Sequence, residues 1–301
     1  MHTQPTILVI GATGAQGGSV ARHLLKTGAF QVRCLTRKPD SPAATALQNA
    51  GAQIVSGDLS DKPSLLTALQ GCAGVFGVTN FWEHFGGELQ QGRNLIEAVA
   101  ESGTPNFVLS TLPGYQRISK GTHVVPHCDI KAELEDYARS LKPDTTFVHV
   151  GYYFENFLSY FIPRKGEDGA YYFGFPQGDT PLGGVGVEDM GGVVARIFEK
   201  PEAFRGRVLG IFGDDLPGAA YAEAMTQVLG KTVRYNHFTR EVFASFGFPG
   251  AEELAAMFDF QRLYIPSRSQ EVAESRGLYP AIRTFEAWLT DHRERVNEVL
   301  G

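Results

Sequence analysis

The stretch Val9-Ile10-Gly11-Ala12-Thr13-Gly14-Ala15-Gln16-Gly17-Gly18-Ser19-Val20 decides the fold of this chain. The apolar run Ile7 to Ile10 leads into it and reads as a buried strand. The amphipathic stretch from about Ser19 to Lys26 follows and reads as a helix, stopped at Gly28, a good residue for a left-handed helix end. Strand, glycine turn and helix stand in that order. Gly11 permits the tight turn, Gly14 lets backbone approach a pyrophosphate, and Gly17 lets the helix pack close to the strand. The free N–H groups and the positive dipole end of the helix then face the phosphates. The spacing is G-x-x-G-x-x-G, and its strand–helix setting predicts a dinucleotide site.

Outward from this unit, strand and helix signals alternate. Strands are predicted at Gln31 to Leu35, Gln53 to Ser56, Gly74 to Val78, Phe107 to Ser110 and Thr145 to Val150. Helices are predicted near Pro42 to Ala50, Pro63 to Leu69 with Asp61 as an N-cap, Glu88 to Ser102 and Cys128 to Leu141. The repeat argues for an α/β, doubly wound (Rossmann) parallel sheet over residues 1–151. Residues of about 185–213 return to a strand–helix pattern and are expected to rejoin it. Residues 152–184 and 214–301 form a smaller, mostly helical C-terminal subdomain, with helices at Ala219 to Leu229, Glu241 to Phe246 and Thr284 to Val296. The run Asp291-His292-Arg293-Glu294-Arg295 reads as a solvated helix face.

Composition narrows the function classes. A formal net charge of −6 argues against a broad nucleic-acid surface, so no direct nucleic-acid binding is expected. No apolar run reaches the roughly 20 residues that a bilayer span needs. The first strand begins almost at once, which leaves no room for a signal peptide, so a cytoplasmic protein is expected. Cys34, Cys72 and Cys128 are widely separated and read as small buried residues rather than a disulfide framework. His123 to Cys128 holds two His and one Cys, but Pro126 interrupts any helix that would stack the imidazoles, and no metal site is expected.

Chemistry concentrates at the predicted strand ends. Thr36-Arg37-Lys38 stands where an NAD reader would carry an acid, and the Arg37 guanidinium suits the 2′-phosphate of NADP(H), with Lys38 adding charge. Gly57-Asp58-Leu59 ends strand three, where Asp58 meets an adenine amino group or simply closes a turn, and Leu59 packs on the ring. Val78-Thr79-Asn80 passes beside the ribose and pyrophosphate, and Phe81, Trp82 and Phe85 give the following loop apolar weight. That loop, Asn80 to Gly87, and Ser110 to Val125 are expected to order on cofactor binding. His127-x-x-x-Lys131 places two residues on one helix face. Lys131 is the candidate ribose ligand and, with His127, a candidate catalytic group; a hydroxyl from Ser110, Thr111 or Tyr153 is the other possible proton donor.

The glycine spacing resembles that of extended and atypical short-chain dehydrogenase/reductases, and His127-x-x-x-Lys131 has the spacing of their Tyr-x-x-x-Lys pair. With Thr36-Arg37-Lys38-Pro39, Gly57-Asp58, Val78-Thr79-Asn80-Phe81-Trp82-Glu83, Tyr153-Phe154-Glu155-Asn156 and Phe246-Gly247-Phe248-Pro249-Gly250-Ala251, the sequence resembles the NmrA-like family, in its HSCARG-type NADPH-sensor branch. The resemblance implies that Gly11, Ala12, Thr13, Gly14, Ala15 and Gln16 cradle pyrophosphate. It also implies that Asp58, Leu59, Thr79, Asn80 and Phe81 line the adenosine side, and that Lys131, Tyr153, Phe154, Glu155 and Asn156 surround the nicotinamide. Members typically lack the catalytic Tyr, as here, and several are redox-sensing regulators that bind partner proteins. Others are NADPH-dependent reductases. The expectation is therefore an NADP(H)-binding regulator with a protein partner, the alternative being a reductase of a small quinone, carbonyl or enone.

Overall fold

A computed structural model describes residues 4–83 and 86–301. Its elements run β1 (Thr6–Val9), α1 (Ala15–Thr27), β2 (Gln31–Thr36), α2 (Pro42–Asn49), β3 (Gln53–Ser56), α3 (Lys62–Leu69), β4 (Cys72–Gly77), α4 (Glu88–Ser102), β5 (Asn106–Thr111), α5 (Tyr115–Ile118), α6 (Pro126–Leu141) and β6 (Thr146–Val150). After them come β7 (Tyr152–Tyr153), β8 (Arg164–Lys165), β9 (Tyr171–Phe175), β10 (Leu182–Val185), α7 (Val187–Glu199), β11 (Val208–Ile211), β12 (Asp214–Leu216), α8 (Gly218–Leu229) and β13 (Val233–His237). Helices α9 (Arg240–Ala244), α10 (Ala251–Tyr264), α11 (Ser269–Leu278), α12 (Phe285–Asp291) and α13 (Arg293–Leu300) complete the chain. Two compact units result: residues 1–114, 130–150 and 187–209, and residues 115–129, 151–186 and 210–301.

The first unit is a Rossmann-type α/β fold. Its sheet has the order β3-β2-β1-β4-β5-β6-β11, and the pairings from β3 through β6 are parallel. The central strands β1 and β4 are apolar and buried because helices cover both faces, while the edge strand β3 is partly exposed. On one face α3, α4 and α6 bury Leu65, Leu95, Val99, Leu134 and Ala138 against Leu8, Val75, Phe107 and Phe147. Gly92 lets α4 approach α6, since a Cβ there would lie 2.3 Å from Leu134. On the other face α1 meets α7. A Cβ on Gly191 would lie 2.4 Å from the Ser19 carbonyl oxygen, and the buried Ser19 hydroxyl accepts the Gly191 N–H at 3.0 Å.

The second unit is built on aromatic packing. Phe154, Phe157, Phe175, Tyr221, Phe258, Phe285 and Trp288 fill its core, each worth about 1.5–3 kcal/mol of burial. Around them stand α8 to α13 and two three-stranded sheets, β12-β10-β7 and β13-β9-β8. The segment Tyr115–Asp129 joins this unit through a stack of Tyr115 on Phe260, centroids 3.8 Å apart. Local details depart from the sequence reading. Asp61 occupies the N-cap position of α3 without a side-chain bond, and the predicted Thr284–Val296 helix breaks at His292. There the imidazole stacks on Trp288 and bonds its carbonyl, so the neighbouring charges are solvated at a helix junction. Among the described residues, no helix is long and apolar enough to cross a membrane.

Candidate functional site

The glycine turn joins β1 to α1. Gly11 has φ +67°, and its N–H-to-carbonyl partner is Gly14, which donates to the Gly11 oxygen at 2.9 Å. A Cβ on Gly17 would lie 2.3 Å from that same oxygen and 2.7 Å from the Ile10 oxygen, so the helix starts where only hydrogen fits. Gly14 is the N-cap of α1, no side chain caps the first turn, and no acidic residue stands in it. Thr13, Gly14 and Ala15 are exposed, Gly11 and Gln16 partly so, while Ala12 and Gly17 are buried. A positive helix end with exposed backbone and no acid of its own fits the diphosphate of a dinucleotide.

Arg37 and Lys38 follow β2 and are exposed. The Thr36 hydroxyl accepts the Lys38 N–H at 3.1 Å and fixes the turn. Arg37 is paired with Glu83, which the Asn80 amide also approaches at 3.4 Å; Asn80 Oδ1 accepts the Trp82 N–H. Phe81 is buried with its ring edge-on to Trp82. Phe85 lies outside the described residues. Beyond β3, Asp58 Oδ1 accepts the Ser60 N–H at 2.7 Å, the turn-closing arrangement. Asn94 and Gln91 of α4 pin this loop by donating to the Leu59 carbonyl and the Ser60 hydroxyl, and Leu59 packs on the core.

Lys131 sits at the head of α6, and its three ammonium hydrogens all have acceptors. They go to the Thr79 carbonyl and hydroxyl, both at 3.0 Å, and to Glu88 Oε1. The Thr79 hydroxyl in turn donates to Glu88 at 2.6 Å. Glu88 has no exposed side-chain surface and Lys131 only 13%. Glu88 opens α4, where the helix dipole favours an anion, but nothing in its sequence position marks it as the lysine's partner. One turn further along α6, Glu135 gathers Thr111 at 2.8 Å, His149 at 3.0 Å and Arg139 at 2.9 Å. Burial pushes its carboxyl up, and the bonds from His149, Thr111 and Arg139 outweigh that, bringing it down to about 2. Thr111 therefore gives its proton to a carboxylate.

The remaining candidates belong to the second unit. His127 is held by Glu253, which accepts both its ring Nδ1–H and its backbone N–H, the latter at 2.8 Å. Burial raises the Glu253 carboxyl, but the His127 contacts win and hold it below the usual range. His123 faces Asp259 at 2.9 Å, so each imidazole meets one carboxylate, and among the described residues no cluster fit for a metal forms. Tyr153 ends β7 and Phe154–Leu158 is a 3-10 helix. Phe154 is fully buried, with its ring packed among Phe285, Tyr221 and Trp288. Glu155 accepts the Trp288 indole N–H at 3.2 Å, and the Asn156 carbonyl closes the turn to Ser159 and Phe161. The three cysteines are buried and form no disulfide with one another, and burial pushes the Cys34 thiol up to about 12.

This strand order and glycine turn define the class of Rossmann-type dinucleotide-binding folds. The NmrA-like family pattern matches residues 3–289, and the chain belongs to that family. It is 34% identical over 280 residues to the NmrA-like family domain-containing oxidoreductase FrzB of Cladobotryum sp., covering 84% of this chain and 83% of that one. Among solved structures it resembles NmrA, a negative transcriptional regulator crystallised with NADP, with a TM-score of 0.83 at 24% identity over 98% of each chain. It also resembles an NADPH-dependent quinone oxidoreductase from Escherichia coli solved with NADPH, with a TM-score of 0.75 at 24% identity over 97% of this chain and 99% of that one. At that identity the two structural likenesses speak for the fold.

Proposed function

We propose that this chain is a cytoplasmic NADP(H)-binding regulator of the HSCARG type, which reads the redox state of the cofactor and passes it to a protein partner. Gly11, Ala12, Thr13, Gly14, Ala15 and Gln16 hold the diphosphate. Arg37, with Lys38, holds the 2′-phosphate. Asp58, Leu59, Thr79, Asn80 and Phe81 line the adenosine and middle portions, and Lys131, Tyr153, Glu155 and Asn156 serve the nicotinamide end. Bound NADPH supplies a hydride. What a carbonyl reduction needs besides is a proton donor at the developing oxyanion. The observation that carries the regulator reading is the state of the Tyr-x-x-x-Lys positions. Lys131 has all three hydrogens engaged by Thr79 and Glu88, and His127, at the tyrosine position, is bound by Glu253. Lys131 would exchange a Thr79 contact for the ribose hydroxyls.

The second reading is an NADPH-dependent reductase of a quinone, carbonyl or enone, favoured by the oxidoreductase name of the FrzB relative. An NADPH-oxidation screen against quinones, aldehydes and enones, with Lys131→Ala and His127→Ala alongside, separates the two. The regulator reading expects no turnover above background, with Lys131→Ala weakening NADPH binding more than His127→Ala. Robust turnover, abolished by either substitution while NADPH still binds, makes the chain a reductase.

A further inference from the structure

Arg37 follows β2 and Glu83 lies beyond β4, and β1 stands between those strands. The two side chains therefore meet across the end of β1, where the glycine turn begins. Glu83 is steered there by a second contact, the Asn80 amide at 3.4 Å, while Asn80 Oδ1 holds the backbone of Trp82. The guanidinium read as the 2′-phosphate ligand thus already carries an anion supplied by the chain. We propose that Glu83 is a built-in competitor for the adenosine 2′-phosphate, and so sets how sharply the chain separates NADP(H) from NAD(H). This inference rests on the reading of Arg37 given above.

The physical logic is an exchange of anions. A carboxylate and a phosphate monoester both offer paired oxygens to the guanidinium fork, but the phosphate carries more charge. NADP therefore displaces Glu83 and takes Arg37. NAD brings no charge to that position, so the Arg37–Glu83 pair stays closed and Arg37 is never left without an anion. Discrimination is then the difference between two ion pairs rather than the full value of one. Both partners are about half exposed, with side-chain exposures of 44% and 48%, so the pair is weak and its removal has a bounded effect.

Calorimetric titration of the full chain with NADP⁺ and with NAD⁺ tests this, using the parent, Glu83→Gln, Arg37→Ala and the double variant. Glu83→Gln keeps the size and the Asn80 contact of the side chain but drops its charge. It is expected to tighten NADP⁺ binding about two- to fivefold, the range of an exposed ion pair, and to leave NAD⁺ within twofold. In the Arg37→Ala background the same change should alter neither cofactor. If Arg37→Ala removes the NADP⁺ preference while Glu83→Gln leaves NADP⁺ unchanged, weakens it, or shifts both cofactors equally, the competitor role is wrong and the Arg37 reading stands. If Arg37→Ala leaves the preference intact, both fall together.

Discussion

Gly17→Ala is expected to destabilise the chain by about 3 kcal/mol, roughly 5 °C in melting temperature. The new methyl carbon would lie 2.3 Å from the Gly11 oxygen, 2.5 Å from its carbonyl carbon and 2.7 Å from the Ile10 oxygen. These are backbone atoms of the strand end and the turn, so no side chain can swing aside. Relief requires α1 to slide away from β1. Such a shift also opens the α1–α7 contact, where Ser19 and Gly191 touch. The control is Gly28→Ala at the other end of α1. There φ is +65° but an added Cβ meets nothing within 4 Å, so only the left-handed conformation, about 1 kcal/mol, is at stake. Thermal melts of the two variants make the comparison, and a Gly17→Ala protein within about 1 kcal/mol of the parent would contradict the close strand–helix packing.

Glu88→Ala should be as damaging for a different reason. The carboxylate is fully buried and holds the ammonium of Lys131 and the hydroxyl of Thr79. Taking it away leaves an ammonium in a poorly solvated place with, among the described residues, Thr79 as its remaining partner, a loss of about 3–5 kcal/mol. The double variant Glu88→Ala/Lys131→Met removes both charges and should recover much of that loss, because the pair itself contributes less than its broken half costs. Urea unfolding of the single and double variants measures this. An equal or greater loss in the double variant would mean that Glu88 acts through packing rather than by neutralising Lys131.

The parts of this architecture that local chemistry dictates were legible in the sequence. Gly11, Gly14 and Gly17 could be assigned separate duties because each answers to a distinct steric demand, and the structure places Gly11 at positive φ and Gly17 against backbone. The strand–helix alternation through Val150 was equally readable, since parallel strands covered on both faces are continuous apolar runs. Long-range pairing was not. Glu88 looks like an ordinary acid at a helix start, and only the fold brings Thr79, beyond β4, and Lys131 of α6 to it. The spacing of His127 to Lys131 likewise says nothing of Glu253, 126 positions away. Phe154 stands beside Tyr153, Glu155 and Asn156 in the sequence, and only the fold shows that its ring lies in the core, because neighbours in a 3-10 helix point in different directions. Short strands such as β9 and β13 hide among the aromatic residues that also fill the second core.

Arg37, beside the glycine turn, is what would make this chain prefer NADP(H). The most direct measurement is calorimetric titration with NADPH and with NADH, on the parent and on Arg37→Ala. NADPH is expected to bind tighter by at least about tenfold, or about 1.4 kcal/mol, with most of the difference erased by Arg37→Ala. Equal affinities for the two cofactors in the parent, or no binding of either, would contradict it.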